Sequence, residues 1–150
     1  MITNDQPDKN PQSMVERFHR LFDIVVQQAP GLVEEQTRVL RERLIQEEFE
    51  ELKDAMGQKD LVAIAKELAD LLYVVYGTAV SYGIDMGPVF SEVHRSNMSK
   101  VGGYKRDDGK WVKPPTYSAA AIEPILAEQQ TSGRRVVESV KAYEEVEPLA

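Results

Sequence analysis

Residues 61–83 read LVAIAKELADLLYVVYGTAVSYG, and the fold follows from how that stretch repeats. Leu61, Ile64, Ala65, Leu68, Leu72 and Val75 recur at spacings of three and four, the period of a helix with one apolar face. Asp60 stands where a side-chain oxygen can cap the first turn, and Gly83 where the chain must leave the helix. Between Leu68 and Val80 the only charged residue is Asp70, in a segment otherwise fit to be buried. A lone buried carboxylate costs several kcal/mol, on the order of a lost ion pair, unless a cation or strong donors compensate it.

Working outward, a second helical pattern runs from about Val33 to Met56, with Val39, Leu40, Leu44, Ile45, Phe49 and Leu52 as its stripe and Gly57 as its end. Ahead of it, Val15, Phe18, Leu21, Phe22 and Val25 predict a first helix from Met14, stopped by Pro30-Gly31. Asp85 can cap a fourth helix through about Ser99, with Pro88 tolerated in its first turn. YKRDDGKWVK, residues 104–113, reads as two short arms around an Asp-Gly turn, and Ala119–Gln130 as a short last helix. The expected architecture is all-α: a four-helix bundle with a hairpin or loop near 101–117 and a small C-terminal helix. Residues 1–13 carry little to bury and read as a disordered lead-in, 14–130 as one catalytic domain, and 131–150 as a charged tail.

Composition narrows the chemistry. With 150 residues, 42% of them hydrophobic, the chain can bury one sizeable core. The absence of cysteine excludes disulfides, thiolate nucleophiles and Cys-ligated metal. A net charge of −7 argues against nucleic acid as partner. No leader-like apolar region and no membrane-length apolar run is present, so a cytoplasmic protein is expected, with no membrane partner.

Two pairs of carboxylates carry the functional reading. Glu48 and Glu51 lie three apart on the second helix, and Glu67 and Asp70 repeat that spacing on the third, so each pair leaves one helix face. Fifteen residues separate Glu51 from Glu67, enough for a turn and an antiparallel return. Like charges at this spacing repel, and two facing pairs make sense around a hard divalent cation that favours oxygen ligands. The alternative partner for Asp70 is an ion pair with Lys66 or an arginine. Glu34, Glu35 and Glu50 read as solvated surface. With only His19 and His94, a histidine-rich zinc site is excluded; Glu16-x-x-His19 raises a di-iron bundle, which wants a second such pair that the chain lacks. His19 reads as a helix-face residue with some substrate contact, and His94 as a polar interface residue.

Glu47-Glu48-x-x-Glu51 followed by Glu67-x-x-Asp70, with LADLLYVVYG and VHRSNMSK, resembles the signature of the MazG-like all-alpha nucleoside triphosphate pyrophosphohydrolases over about Met14 to Leu126. The resemblance implies Mg²⁺, or Mn²⁺ in its place, on Glu48, Glu51, Glu67 and Asp70. It also implies a homodimer or dimer of dimers with the active site near the interface. Single-domain bacterial members acting on dUTP or other pyrimidine triphosphates are the nearest in look, followed by phosphoribosyl-ATP pyrophosphohydrolases of histidine biosynthesis. Such an enzyme cleaves a triphosphate to monophosphate and pyrophosphate and clears unwanted nucleotides.

On that reading Glu47 is the candidate general base. Asn97 and Lys100 match the family's Asn-x-x-Lys; Lys100, Arg106, Lys110 and Lys113 are cations for the phosphates, and Tyr73, three residues from Asp70, can stack on base or ribose. Trp111 reads as packing the hairpin onto the bundle. A reading of another class makes the chain a non-catalytic helical interaction module whose acidic ridge meets a basic partner.

Overall fold

A computed structural model of the chain describes residues 9–132. Along them run α1 (Pro11–Leu21), α2 (Glu35–Gln58), α3 (Leu61–Tyr82), α4 (Met86–Met98), the two-residue strands β1 (Tyr104–Lys105) and β2 (Trp111–Val112), and α5 (Glu123–Ser132). The all-α architecture is as the periodicity predicts. None of these helices is long and apolar enough to cross a membrane.

α3 is the axis, with α2 packed along it as an antiparallel partner and α1 also packed against it, Arg41 of α2 and His19 of α1 both meeting α3 at Gly77. Asp60 caps α3 by accepting from the N–H groups of Val62 and Ala63 at 3.0 and 3.1 Å, and Gly83 leaves it at φ 70°. That glycine is required: a Cβ there would run into the Ala29 carbonyl. α2 does not stop at Gly57 as expected; it continues to Gln58, and Lys59 takes the left-handed position at φ 57°.

α1 begins at Pro11, three residues before the expected start. Asn10 accepts from the Gln12 and Ser13 N–H groups at 3.0 and 3.3 Å, and Pro11 occupies the first turn where its missing N–H is harmless. Part of the supposed lead-in is therefore folded; residues 1–8, and 133–150 of the expected tail, lie outside the described residues. α1 also ends early. Val25, placed on its apolar stripe by the sequence pattern, belongs to a connecting segment that runs beside the end of α3. There Gln27 N–H donates to the Val80 carbonyl, Gly31 N–H to that of Tyr82, and the Ser81 hydroxyl to that of Val25.

Two glutamines secure the α3–α4 joint. Gln12 donates to the Ile84 carbonyl at 2.6 Å and accepts from Met86 N–H at 2.9 Å. Gln129 of α5 accepts from Asp85 N–H at 2.9 Å and donates to the Asp85 carbonyl at 3.0 Å. Both side chains are buried, and each amide pairs its donor and acceptor with backbone in the manner of a neighbouring strand.

The core between α1, α2 and α3 is apolar at Val15, Leu52, Ala55, Ala79 and Val80, and polar at Glu16, His19, Arg41 and Ser81. His19 is 2% exposed, so the helix-face residue expected to make some substrate contact is a buried one; its Nδ1 lies 3.1 Å from the Val25 carbonyl. Glu16, fully buried, is paired with Arg20 at 3.0 Å. Arg41 donates to Thr78 Oγ1 and the Val74 carbonyl at 3.2 and 2.9 Å, and burial lowers its pKa.

The apolar run of α3 is only partly covered. Leu72 is 55% exposed, and Leu68 and Val75 are exposed too, whereas the pattern of LADLLYVVYG predicts burial. α4 starts beside α3 but leaves an open groove of about 390 Å³ between them, lined by Leu72, Val75, Tyr76, Met86 and Phe90. Phe90 is 70% exposed on its far wall.

After α4 the chain makes the expected hairpin, Tyr104 opposite Val112 and Lys105 opposite Trp111, turning at Gly109 with φ 85°. The last helix begins at Glu123 rather than Ala119, because residues 117–121 lie along α4 instead. Arg95 donates to the Ala119 carbonyl at 3.0 Å, and Glu92 accepts from Ala121 N–H at 2.9 Å.

Candidate active site

The antiparallel α2–α3 pair brings three carboxylates together. Glu48 from α2 and Glu67 and Asp70 from α3 each offer an oxygen, and the three oxygens lie within 4.8 Å of one another. Glu67 and Asp70 share a face because three residues make most of one helical turn, and Glu48 meets them across the interface. Glu67 is 13% exposed at its side chain and Asp70 40%, so Asp70 is less buried than its apolar neighbours suggest.

The cation at hand is Lys66, 2.6 Å from Asp70 Oδ2 and 3.2 Å from Glu67 Oε1. It does not neutralise the cluster. The buried oxygens Glu48 Oε2 and Glu67 Oε2 find no hydrogen-bond donor among the described residues. Burial raises the Glu48 pKa, the charges of Glu51, Asp70 and Glu67 raise it further, and Lys66 opposes them. An all-oxygen set with two orphaned buried oxygens fits a hard divalent cation, which would replace repulsion with ligation.

The other predicted residues fall in different places. Glu51 is exposed and is not among the three converging groups, although its charge is felt at Glu48. Glu47 is exposed on an open groove along α2 that Glu51, Gln46 and Arg43 also line. Arg43 was not singled out by the sequence; spaced four before Glu47, it reads as surface until the groove is seen. Tyr73 follows Asp70 by one turn, meets Phe18 edge-on at 5.6 Å, and has its phenol pKa raised by burial. Phe18 in turn lies 4.5 Å from Phe22. His94 is exposed on α4.

Asn97, Lys100, Arg106 and Lys113 occupy the end of α4 and the hairpin. Lys100 donates to Asn97 Oδ1 at 2.7 Å, and the Trp111 indole N–H donates to the Lys100 carbonyl at 2.7 Å, pinning the hairpin to the helix end. Arg106 is held by Asp108 at 2.7 Å at the hairpin turn. Lys113 lies over the Tyr117 ring, 4.1 Å from its centroid. Among the described residues, no hydrogen bond or ion pair joins this second cluster to the carboxylates. Tyr117 has no periodic or motif signal in the sequence; only the return of the chain along α4 puts it here.

Residues 15–97 match the family of phosphoribosyl-ATP pyrophosphohydrolases, more than half of the chain. The chain belongs to that family. The matched span holds Glu47, Glu48, Glu51, Glu67 and Asp70 and closes at Asn97, so the hairpin and α5 lie beyond it. This agrees with the MazG-like all-alpha superfamily that the carboxylate motifs resemble. The chain is also similar to an uncharacterized protein, L479, of Acanthamoeba polyphaga mimivirus, 38% identical over 97 residues covering 60% of this chain and 38% of that protein. It thus spans well under half of that relative's length.

Proposed function

We propose that the chain hydrolyses a nucleoside triphosphate, dUTP or a related pyrimidine nucleotide, to the monophosphate and pyrophosphate, with Mg²⁺ held by Glu48, Glu67 and Asp70. The observation that carries this reading is the convergence of three carboxylate oxygens within 4.8 Å, with two buried oxygens that find no donor among the described residues. When bound, the divalent ion supplies neutralisation of phosphate charge and a lowered pKa for water. Mn²⁺ satisfies the same oxygen donors.

The reaction forms a bond from the water oxygen to the α-phosphorus and breaks that phosphorus's bond to the oxygen bridging to the β-phosphorus, so that pyrophosphate departs. Glu47, next to Glu48 in the chain and exposed on a groove that Glu51 also lines, takes the water proton. Glu51 adds carboxylate charge that holds the ion. Asn97, Lys100 and Lys113 supply donors to phosphate and sugar, Arg106 a further cation at the hairpin, and Tyr73 a face for base or ribose. Catalysis is then mainly positioning and electrostatics.

A homodimer or dimer of dimers goes with this reading. It is supported by the exposed apolar face of Leu68, Leu72, Val75 and Phe90, which is large for a chain alone in water. The net charge of −7 supports a small-molecule substrate rather than nucleic acid.

The name of the matched family favours a second substrate, phosphoribosyl-ATP, cleaved at the same bond of its triphosphate. One panel separates the two: purified protein with Mg²⁺, dUTP, the other nucleoside triphosphates and phosphoribosyl-ATP, each assayed for pyrophosphate and orthophosphate. Pyrophosphate from dUTP supports the first reading and from phosphoribosyl-ATP alone the second. Orthophosphate without pyrophosphate overturns the cleavage assignment, and no turnover of any member leaves the chain an acidic interaction module.

A further inference from the structure

Lys66 is the one cation among the described residues that is paired with the triad: its ammonium lies 2.6 Å from Asp70 Oδ2 and 3.2 Å from Glu67 Oε1. The ion pairs of Arg20, Arg38, Lys53, Arg95 and Arg106 all fall on other carboxylates. The Lys66 side chain is 65% exposed and that of Glu67 13%, so the ammonium meets the cluster from its solvent side. Glu48 Oε2 and Glu67 Oε2 are buried and receive no hydrogen bond from it. One charge thus clamps the two α3 carboxylates and leaves the buried oxygens open.

Such a clamp is built to give way. An ion pair this open to water holds weakly, and lysine carries its charge on a flexible stem that can swing aside without moving the backbone. A divalent ion on the same carboxylates would stand within a few ångströms of the ammonium, and like charges at that range repel strongly. We propose that Lys66 is a tethered stand-in for the divalent ion: it holds Glu67 and Asp70 together in the metal-free chain, is expelled to solvent when the ion binds, and so sets the ion concentration at which the site fills. This rests on the divalent-ion reading of the triad, and not on which bond or which nucleotide is cleaved. By linkage, if Lys66 contributes only to the metal-free state, the stability lost there by removing its charge returns in full as tighter ion binding, and the loaded protein is indifferent to the change.

The test uses the full chain with Mn²⁺ as probe, affinity being read by calorimetry and by the spin-resonance signal of the free ion, and melts recorded without metal and at saturation. Lys66→Met keeps the stem and the helix and is expected to bind Mn²⁺ about fivefold more tightly, the scale of an exposed ion pair converted to affinity. Its metal-free melt should fall by about 3 °C, and at saturating Mn²⁺ it should melt with the unaltered chain. Lys53→Met removes an equal charge two residues from Glu51, but from a pair with Glu50, and should change the affinity by less than about twofold. Equal or weaker Mn²⁺ binding by Lys66→Met, a gain matched by Lys53→Met, or a loss of melting temperature that persists at saturation overturns the stand-in and leaves the metal site standing. Absence of Mn²⁺ binding by the unaltered chain overturns both the stand-in and the divalent-ion reading beneath it.

Discussion

Glu67 is the residue at which activity and stability part company. Replacing it by glutamine keeps size and removes one ligand charge, so turnover should fall by about two to three orders of magnitude, as when one preorganised charge-stabilising group is lost. The metal-free protein should melt no lower, and even higher, because a repulsion has been relieved; rate assays and thermal melts with and without Mg²⁺ check both halves. Glu48 adds a pH dependence of defined sign. Its folded pKa is raised above 4.5, so the stability it contributes is present below 4.5 and lost as pH rises through the folded value. Metal-free melts should therefore fall across that window, Glu48→Gln should flatten the fall, and saturating Mg²⁺ should reverse it. These residues were legible because spacing of three on a helix dictates a common face. What spacing cannot supply is depth: Glu51 obeys the same rule as Glu67 and stands in solvent, and of the two ion-pair alternatives for Asp70, Lys66 or an arginine, the one formed is with Lys66.

Among the elements, α1 and α3 cross where Gly77 leaves no room for a side chain. An added Cβ would stand 2.8 Å from His19 Nε2 and closer still to the Arg41 guanidinium, both buried. Gly77→Ala should destabilise the fold by about 1–3 kcal/mol, measured by urea titration, even though alanine is the better helix former. The caps at Asp60 and Asp85 were readable because a short acidic side chain before an apolar period has few other uses. The start of α1 was not, since Asn-Pro is both a cap followed by a first-turn proline and the composition of an unstructured leader. The period of α1 also overshoots its end: Val25 keeps helical spacing while the chain has already turned out at Asp23, φ 53°. Local pattern does not register a backbone reversal that tertiary hydrogen bonds to α3 stabilise.

For the molecule as a whole, the exposed row on α3 and α4 is the largest departure from what hydrophobic pattern predicts. Pattern says that a face is apolar, not which surface covers it, and here the other helices leave Leu72 and Phe90 more than half exposed. Leu72→Asp should shift the chain toward monomer in sedimentation velocity at micromolar concentration, with the helix content by circular dichroism retained. An unchanged sedimentation coefficient would remove that face from the proposed assembly. The paired glutamines have a consequence at the same scale. Gln12 and Gln129, 117 positions apart, grip three consecutive residues of one joint, Ile84 to Met86. The pitch of α4, and with it the bearing of every group at its far end, is steered like a yoke from near both ends of the described residues. Trimming the last helix or altering the first turn would thus be felt some 15 to 20 Å away, a helix length of roughly 13 residues, without touching any residue there.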